Sequence, residues 1–250
     1  MASHFSSKRF MSAGGTSMIR LAIQSIHEAN QEICGHEVLA RKVIDGDRVA
    51  APGIFMAGTS GEDWFSLDMT VYRLVAQSAV LVKDPWPLFI NMSPETLQVE
   101  ACFSKALSLV RDIAQSRSAP TVIEISEESD VSGPLLDKRL CDLRQVGALV
   151  AMDDFGVGFS NLQRLVEHDW SYCKIDLYSL AAADNLDWLI EAKVHCDQRR
   201  IGIVLERFES QDSKDLLQPF RNSFYQGYAF SRPRLLSEKS STPQLSVGLG

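Results

Sequence analysis

The sequence predicts an α/β fold, a TIM-like (β/α)8 barrel whose first strand runs antiparallel to the others. Three observations predict it. Beyond about residue 67, short apolar runs alternate with amphipathic helical stretches, the pattern of a parallel sheet with helical crossovers. Eight strand segments fall within one chain of 250 residues, which favours closure into a barrel. The first two segments are joined by a turn too short for a crossover, so they pair antiparallel.

In chain order, Ile19, Leu21 and Ile23 alternate with Arg20, Ala22 and Gln24, a strand that a polar turn at 28–32 links to a second strand over 33–43. Leu67, Val71, Leu74, Val75 and Ser78 form a helical stripe ahead of a strand at 88–92. One further helix, carrying Leu97, Phe103, Ala106, Leu107, Val110, Ile113 and Ala114, precedes a strand at 121–126. Leu136, Leu140 and Leu143 mark a helix that stops at Gly147, a C′ glycine, and the central strand 148–152 begins there. A helical stretch, a strand ending at Asp176, a helix over about 184–198, a strand at 202–206, a helix near 210–220 and a strand at 223–228 complete the barrel. The ends, 1–17 and 237–250, are rich in small polar residues and are expected to be flexible tails around a domain spanning 18–236.

A hydrophobic content of 45% supplies a full core, and a formal net charge of -7 argues against a DNA-binding or membrane-surface role. A small phosphorylated ligand stays open, provided metal ions bring the positive charge. The five cysteines (34, 102, 141, 173 and 196) are odd in number and widely spaced, which suggests reduced thiols and a cytoplasmic protein. There is no apolar run of membrane-spanning length and no hydrophobic signal region at the start.

The central strand ends in two adjacent carboxylates, Asp153 and Asp154, before a loop with Gly156 and Gly158. Paired acids at the exit of a buried strand suit a hard divalent cation, although such a pair can also cap a helix or open a turn. Every strand from the second to the eighth carries a polar residue near its C-terminal end: Glu37, Asn91, Glu124, Asp153, Lys174, Glu206 and Gln226. In a barrel these meet at one mouth, the face where active sites of such folds lie. Strand ends are polar in general, which accounts for one or two of these residues but poorly for the whole set. Several oxygen donors at one mouth can hold two cations and clamp the attacking and leaving oxygens of a phosphodiester.

The same segments, in the same order, resemble the EAL domain of bacterial cyclic di-GMP phosphodiesterases. Glu37-Val38-Leu39-Ala40-Arg41 is similar to the signature Glu-Ala-Leu-Leu-Arg, Asn91-Met92-Ser93 to Asn-x-Ser, and Glu124-Ile125-Ser126-Glu127 to Glu-hydrophobic-Thr-Glu. Residues 153–160 resemble Asp-Asp-Phe-Gly-Thr-Gly-Tyr-Ser, Lys174-Ile175-Asp176 is the Lys-Ile-Asp motif, Glu206-Arg207-Phe208-Glu209 stands for Glu-Gly-Val-Glu, and Gln226-Gly227-Tyr228 is the late Gln-Gly-Tyr. The likeness runs from about Leu21 to Leu235.

The resemblance implies a hydrolase that opens cyclic di-GMP to linear pGpG with two Mg2+ or Mn2+ ions. It assigns Glu37, Asn91, Glu124 and Asp153 to the first cation, and Asp153 (as a bridge), Asp154 and Glu206 to the second. It makes Lys174 the partner of the attacking water and the phosphate, alongside Glu37, Asp154 and Glu206 in the catalytic set. Glu127 would anchor the 154–160 loop, and Gln24, Arg41, Asp176 and Gln226 would contact substrate. A homodimer through the surface near that loop is implied as well, and a regulatory protein partner is compatible with it.

Departures from the motifs set the alternatives. Val157 and Phe159 replace threonine and tyrosine in the loop, where a lost hydroxyl would loosen the second cation. Arg207 and Phe208 replace Gly-Val, and Arg207 either competes for the Glu206 carboxylate or points into solvent. Asp176 either caps a helix or touches substrate, Glu209 reads as a first-turn helix residue, and His36 reads as structural. The functions to be separated are therefore a phosphodiesterase, a non-catalytic cyclic di-GMP receptor and a protein-interaction module.

Overall fold

The computed structural model describes residues 18–45, 48–158, 160–177, 187–209, 220 and 222–237. Residues 1–17, 238–250, nearly all of the helix expected near 210–220, and Phe159 lie outside the described residues. Strands β1 (Ile19–His27), β2 (Ile33–Asp45), β3 (Arg48–Ala50), β4 (Leu88–Met92), β5 (Thr121–Ile125), β6 (Ala148–Phe155), β7 (Tyr172–Asp176), β8 (Gly202–Glu206), β9 (Phe224–Tyr225) and β10 (Arg234–Leu235) form one sheet. Its order is β10-β1-β9-β8-β7-β6-β5-β4-β2-β3, and pairing of β1 with β2 closes eight of the strands into a barrel. The two extra strands, β3 and β10, are short additions on the flanks of β2 and β1.

β1 lies antiparallel to both of its barrel neighbours, β2 and β9, and the remaining neighbours are parallel. The reversal follows from the connection: the chain turns back over residues 28–32, with Gln31 at φ 73°, too short a span for a crossover.

Alternate residues of each strand face opposite ways. Leu21, Val38, Ile90, Ile123, Val150, Cys173 and Ile203 join the core shared with the helices. Ile26, Phe89, Val122, Ala151 and Val204, with Leu149, Tyr172 and Phe224 against them, pack together inside the barrel as an apolar floor. One position further along several strands, on the same inner face, the residues turn polar. That change of character places the site.

The helices are α1 (Pro52–Phe55), α2 (Gly61–Gln77), α3 (Ala79–Val82), α4 (Pro94–Gln98), α5 (Glu100–Ser116), α6 (Gly133–Gln145), α7 (Leu162–Glu167) and α8 (Asp187–Arg199). Two expectations change in detail. Ser78 is not the last residue of the α2 stripe but the N-cap of α3, its hydroxyl accepting from the Leu81 N–H. The single helix expected over 97–114 is two, because Val99 takes an extended conformation (ψ 116°) between α4 and α5. Gly147, at φ 93°, is in the left-handed conformation expected of a C′ glycine.

The last strand is shorter than the 223–228 expected. Gly227 explains this, since a Cβ there would meet the Phe208 backbone at 2.2–2.7 Å. The chain after Gln226 is instead tied to the end of β8, with the Phe208 N–H donating to Gln226 O and the Ala229 N–H to Phe208 O. Among the described residues no helix is long and apolar enough to cross a membrane.

Candidate metal centre at the barrel mouth

Lys174 stands at the middle of the mouth, 1% exposed, and four carboxylates surround its ammonium. Nζ lies 2.6 Å from Glu124 Oε1, 2.8 Å from Glu206 Oε1, 3.0 Å from Asp153 Oδ1 and 3.8 Å from Glu37 Oε2. Asn91 Nδ2 donates to Glu37 Oε1 at 3.2 Å, and Gln226 Nε2 donates to Glu37 Oε2 at 2.5 Å. All seven polar residues read from the strand ends are thus brought together. Glu37 differs in one respect: it is not near the end of its strand but fifth of the thirteen residues of β2. β2 pairs with β4 only over His36–Val38 and then runs on past the rim to β3.

Asp153 and Asp154 are adjacent, so a regular strand would turn one into the barrel and the other out. A β-bulge resolves this. Met152 pairs with Cys173 but Phe155 with Ile175, which leaves one extra residue on β6, and Asp154 there takes φ 44°. Ligand atoms of Asp153, Asp154 and Glu127 then lie within 4.8 Å of one another. The loop that follows docks on the main chain of Glu127: Gly158 is at φ 51°, and a Cβ there would fall 2.6 Å from Glu127 O. The Glu127 carboxylate meets Ser126 Oγ at 3.2 Å and faces Asp153 and Asp154.

Burial dominates the electrostatics. It raises the Glu124 and Glu206 carboxyls well above the usual range, Lys174 opposes the rise, and the neighbouring carboxylates add to it. For Lys174, burial alone would lower the pKa, but Asp153, Glu124, Glu206 and Glu37 together push it well up. Burial, then Asp153 and Glu127, push Asp154 to about 7. Both Glu124 oxygens and Asp153 Oδ1 are buried without an aligned hydrogen bond, and Lys174 meets Glu124 Oε1 and Asp153 Oδ1 as an ion pair only. Four carboxylates against one ammonium, all presenting oxygen, form a donor set suited to hard divalent cations.

Gln24, Arg41 and Gln226 line the same mouth, a cavity of about 590 Å³. Gln24 Nε2 donates to Ser231 O at 3.0 Å, and Arg41 Nη1 to Ala40 O at 2.8 Å. Asp176, one step above Lys174 on the inner face of β7, is buried and pairs with Arg207, Nη1 to Oδ2 at 3.3 Å. Arg207 is exposed to solvent yet paired with Asp176, and the Glu206 carboxylate stays with Lys174. The segment that Asp176 could cap and the helix that Glu209 could open lie outside the described residues. His36 bonds Asp84 (2.7 Å) away from the mouth, as a structural residue should.

Sequence reasoning missed Asp68. It is buried on α2, where its Oδ2 accepts from the Ser93 N–H (2.9 Å), Ser93 Oγ (2.6 Å) and Thr96 Oγ1 (2.5 Å), and it lines a second cavity of about 510 Å³ with Trp64, Val71, Met92 and Asn91. The only available signal was a lone acid inside an apolar helical stripe. It also missed Tyr72, whose buried hydroxyl donates to Asn91 O at 3.0 Å and steadies the Asn91 backbone.

Residues 15–233 match the family model described as EAL domain. The cyclic di-GMP phosphodiesterase RocR of Pseudomonas aeruginosa is 30% identical over 174 residues, covering 68% of this chain and 43% of its own length. The chain thus spans less than half of that relative. The Bacillus subtilis YkuI protein, with an EAL domain and solved with substrate c-di-GMP and calcium, superposes with a TM-score of 0.74 at 22% identity, over 88% of this chain and 56% of that one. The Klebsiella pneumoniae BlrP1 manganese/cy-diGMP complex superposes with a TM-score of 0.68 at 23% identity, over 87% and 56%.

Proposed function

The chain belongs to the EAL domain family, and on that premise we propose that it is a phosphodiesterase that opens cyclic di-GMP to linear pGpG using two divalent cations, magnesium or manganese. The observation that carries the reading is the gathering of Glu37, Asn91, Glu124, Asp153 and Glu206 around Lys174 on an apolar floor. The buried Glu124 oxygens, which accept no aligned hydrogen bond, suit a cation. A cyclic di-GMP phosphodiesterase among the relatives, and calcium and manganese beside the ligand in the two fold relatives, support the same assignment.

In this reading Glu37, Asn91, Glu124 and Asp153 hold the first cation, while Asp153, Asp154 and Glu206 hold the second, with the Glu127 carboxylate at hand. Bound divalent cations acidify water and draw charge from the phosphodiester. The chain supplies the rest. Lys174 keeps the carboxylates from repelling one another and presents N–H donors beside the phosphate. Gln226 and Asn91 fix both oxygens of Glu37, and the bulge holds Asp153 and Asp154 on one rim. Gln24, Arg41, Asp176 and Gln226 bind the nucleotide, Arg41 through the fork geometry that suits a phosphate oxygen. A homodimer places its contact near the 154–160 loop, where Val166 on α7 and Ile190 and Val194 on α8 are exposed.

A receptor without turnover is the second reading, favoured by the Arg207 pairing with Asp176, a residue assigned to substrate. One assay separates them: protein, manganese and cyclic di-GMP, with linear product followed by chromatography. Turnover that falls at least about 100-fold in Glu37→Ala supports the enzyme. Binding without turnover supports the receptor. No binding leaves a protein-interaction module and ends the proposal.

A further inference from the structure

We propose that Arg207 is a substrate-binding residue that takes the phosphodiester of the cyclic dinucleotide lying away from the acid rim. The inference rests on the phosphodiesterase or receptor reading of the mouth and adds a specificity contact that the family motif lacks, since the motif has glycine at this position. Arg207 adopts φ 54°, a left-handed conformation open to glycine and costly for a residue with a Cβ. Asp154, the other non-glycine residue of the mouth in this region, has φ 44° and belongs to the proposed cation site. Backbone strain kept at a ligand site points to a gain made by the side chain.

The gain is visible in where the guanidinium goes. It is held by Asp176 at 3.3 Å, the carboxylate being 5% exposed and the arginine side chain 56% exposed. A buried acid thus fixes a cation that still faces the cavity. Among the described residues, Arg41, Lys174 and Arg207 are the cationic side chains lining that cavity. Lys174 is enclosed by carboxylates, and Arg41 lies on β2, three strands around the ring from β8 with β9 and β1 between. A cyclic dinucleotide has two phosphodiesters. Cations at the acid rim neutralise one, and the second needs a positive partner elsewhere on the mouth, which otherwise presents Glu206 and Glu209 on that side. A guanidinium can serve a carboxylate and a phosphate at once through its fork of N–H donors.

The test compares wild type with Arg207→Gly, which suits the left-handed backbone and should fold at least as well, and with Arg207→Lys, which keeps the charge but loses the fork. Cyclic di-GMP affinity is measured calorimetrically with calcium across a salt series, and kcat and KM with manganese. Loss of one charge-assisted contact predicts about ten-fold weaker binding and higher KM for Arg207→Gly, with a shallower salt dependence, kcat within about two-fold, and an intermediate lysine variant. Wild-type affinity and salt dependence in Arg207→Gly overturn the assignment alone. So does a fall in kcat at unchanged KM, which would show that Arg207 acts only by setting Asp176 against the acid rim. A wild type that does not bind cyclic di-GMP overturns the parent reading and this one together.

Discussion

Lys174 is the point on which the electrostatics of the mouth turn. One ammonium offsets four carboxylates packed above an apolar floor, and removing one partner of such a buried set typically costs about 3–5 kcal/mol. Lys174→Met should therefore lower stability by about that amount in EDTA-containing buffer. Manganese should restore part of it, because a bound cation supplies the charge the lysine provided. Urea melts with and without the metal check this, and an equal loss in both buffers would mean that the acids do not form a cation site. That lysine and acids would meet at one mouth was legible from their places at the strand ends. The pairing of one ammonium with four carboxylates was not, since the partners come from β2, β5, β6 and β8.

At the scale of elements, α2 and α4 are joined by Asp68, Ser93 and Thr96. Burial pushes the Asp68 carboxyl up to about 6, against the hydrogen bonds from Ser93 and Thr96 that lower it. The native state then holds this proton at pH values where the unfolded chain, with an ordinary carboxyl near 3.8, has lost it. Stability contributed here is present below about pH 4, declines as pH rises through about 6, and by then has fallen by roughly 3 kcal/mol. Asp68→Asn keeps an acceptor for the Ser93 and Thr96 donors and cannot titrate. The difference in unfolding free energy between wild type and variant should move by about that amount between pH 4 and 7, to the disadvantage of wild type at the higher pH. A difference flat with pH would refute it. The elements themselves were readable from apolar periodicity, but the break at Val99 and the bulge at Asp153 and Asp154 were not. Both are local backbone departures that leave the apolar pattern intact.

The whole molecule carries a formal charge of -7, and its mouth concentrates acids around a single enclosed lysine. An anionic dinucleotide should not enter that field unaided. Chelating divalent cations is expected to weaken cyclic di-GMP binding at least about 100-fold, and low salt should weaken the metal-free protein further, because repulsion between like charges is then less screened. Equilibrium dialysis in EDTA at two ionic strengths measures both effects. Metal-independent binding would place the ligand away from the acid rim.

Residue types and their order along the chain were enough for the barrel, its reversed first strand, the seven polar residues of the mouth and the family. The barrel, the reversed strand and the mouth residues follow from periodicity, turn length and strand ends, which are properties of neighbouring residues. The family follows from the resemblance of its ordered motifs. Only the closed barrel decided that Glu37 belongs to the mouth from mid-strand, that a bulge carries Asp153 and Asp154 onto one rim, and that Arg207 turns to Asp176. Those outcomes depend on which strands become neighbours when the sheet closes and on where the backbone must leave its regular path. Distances between residues far apart in sequence exist only once that has happened.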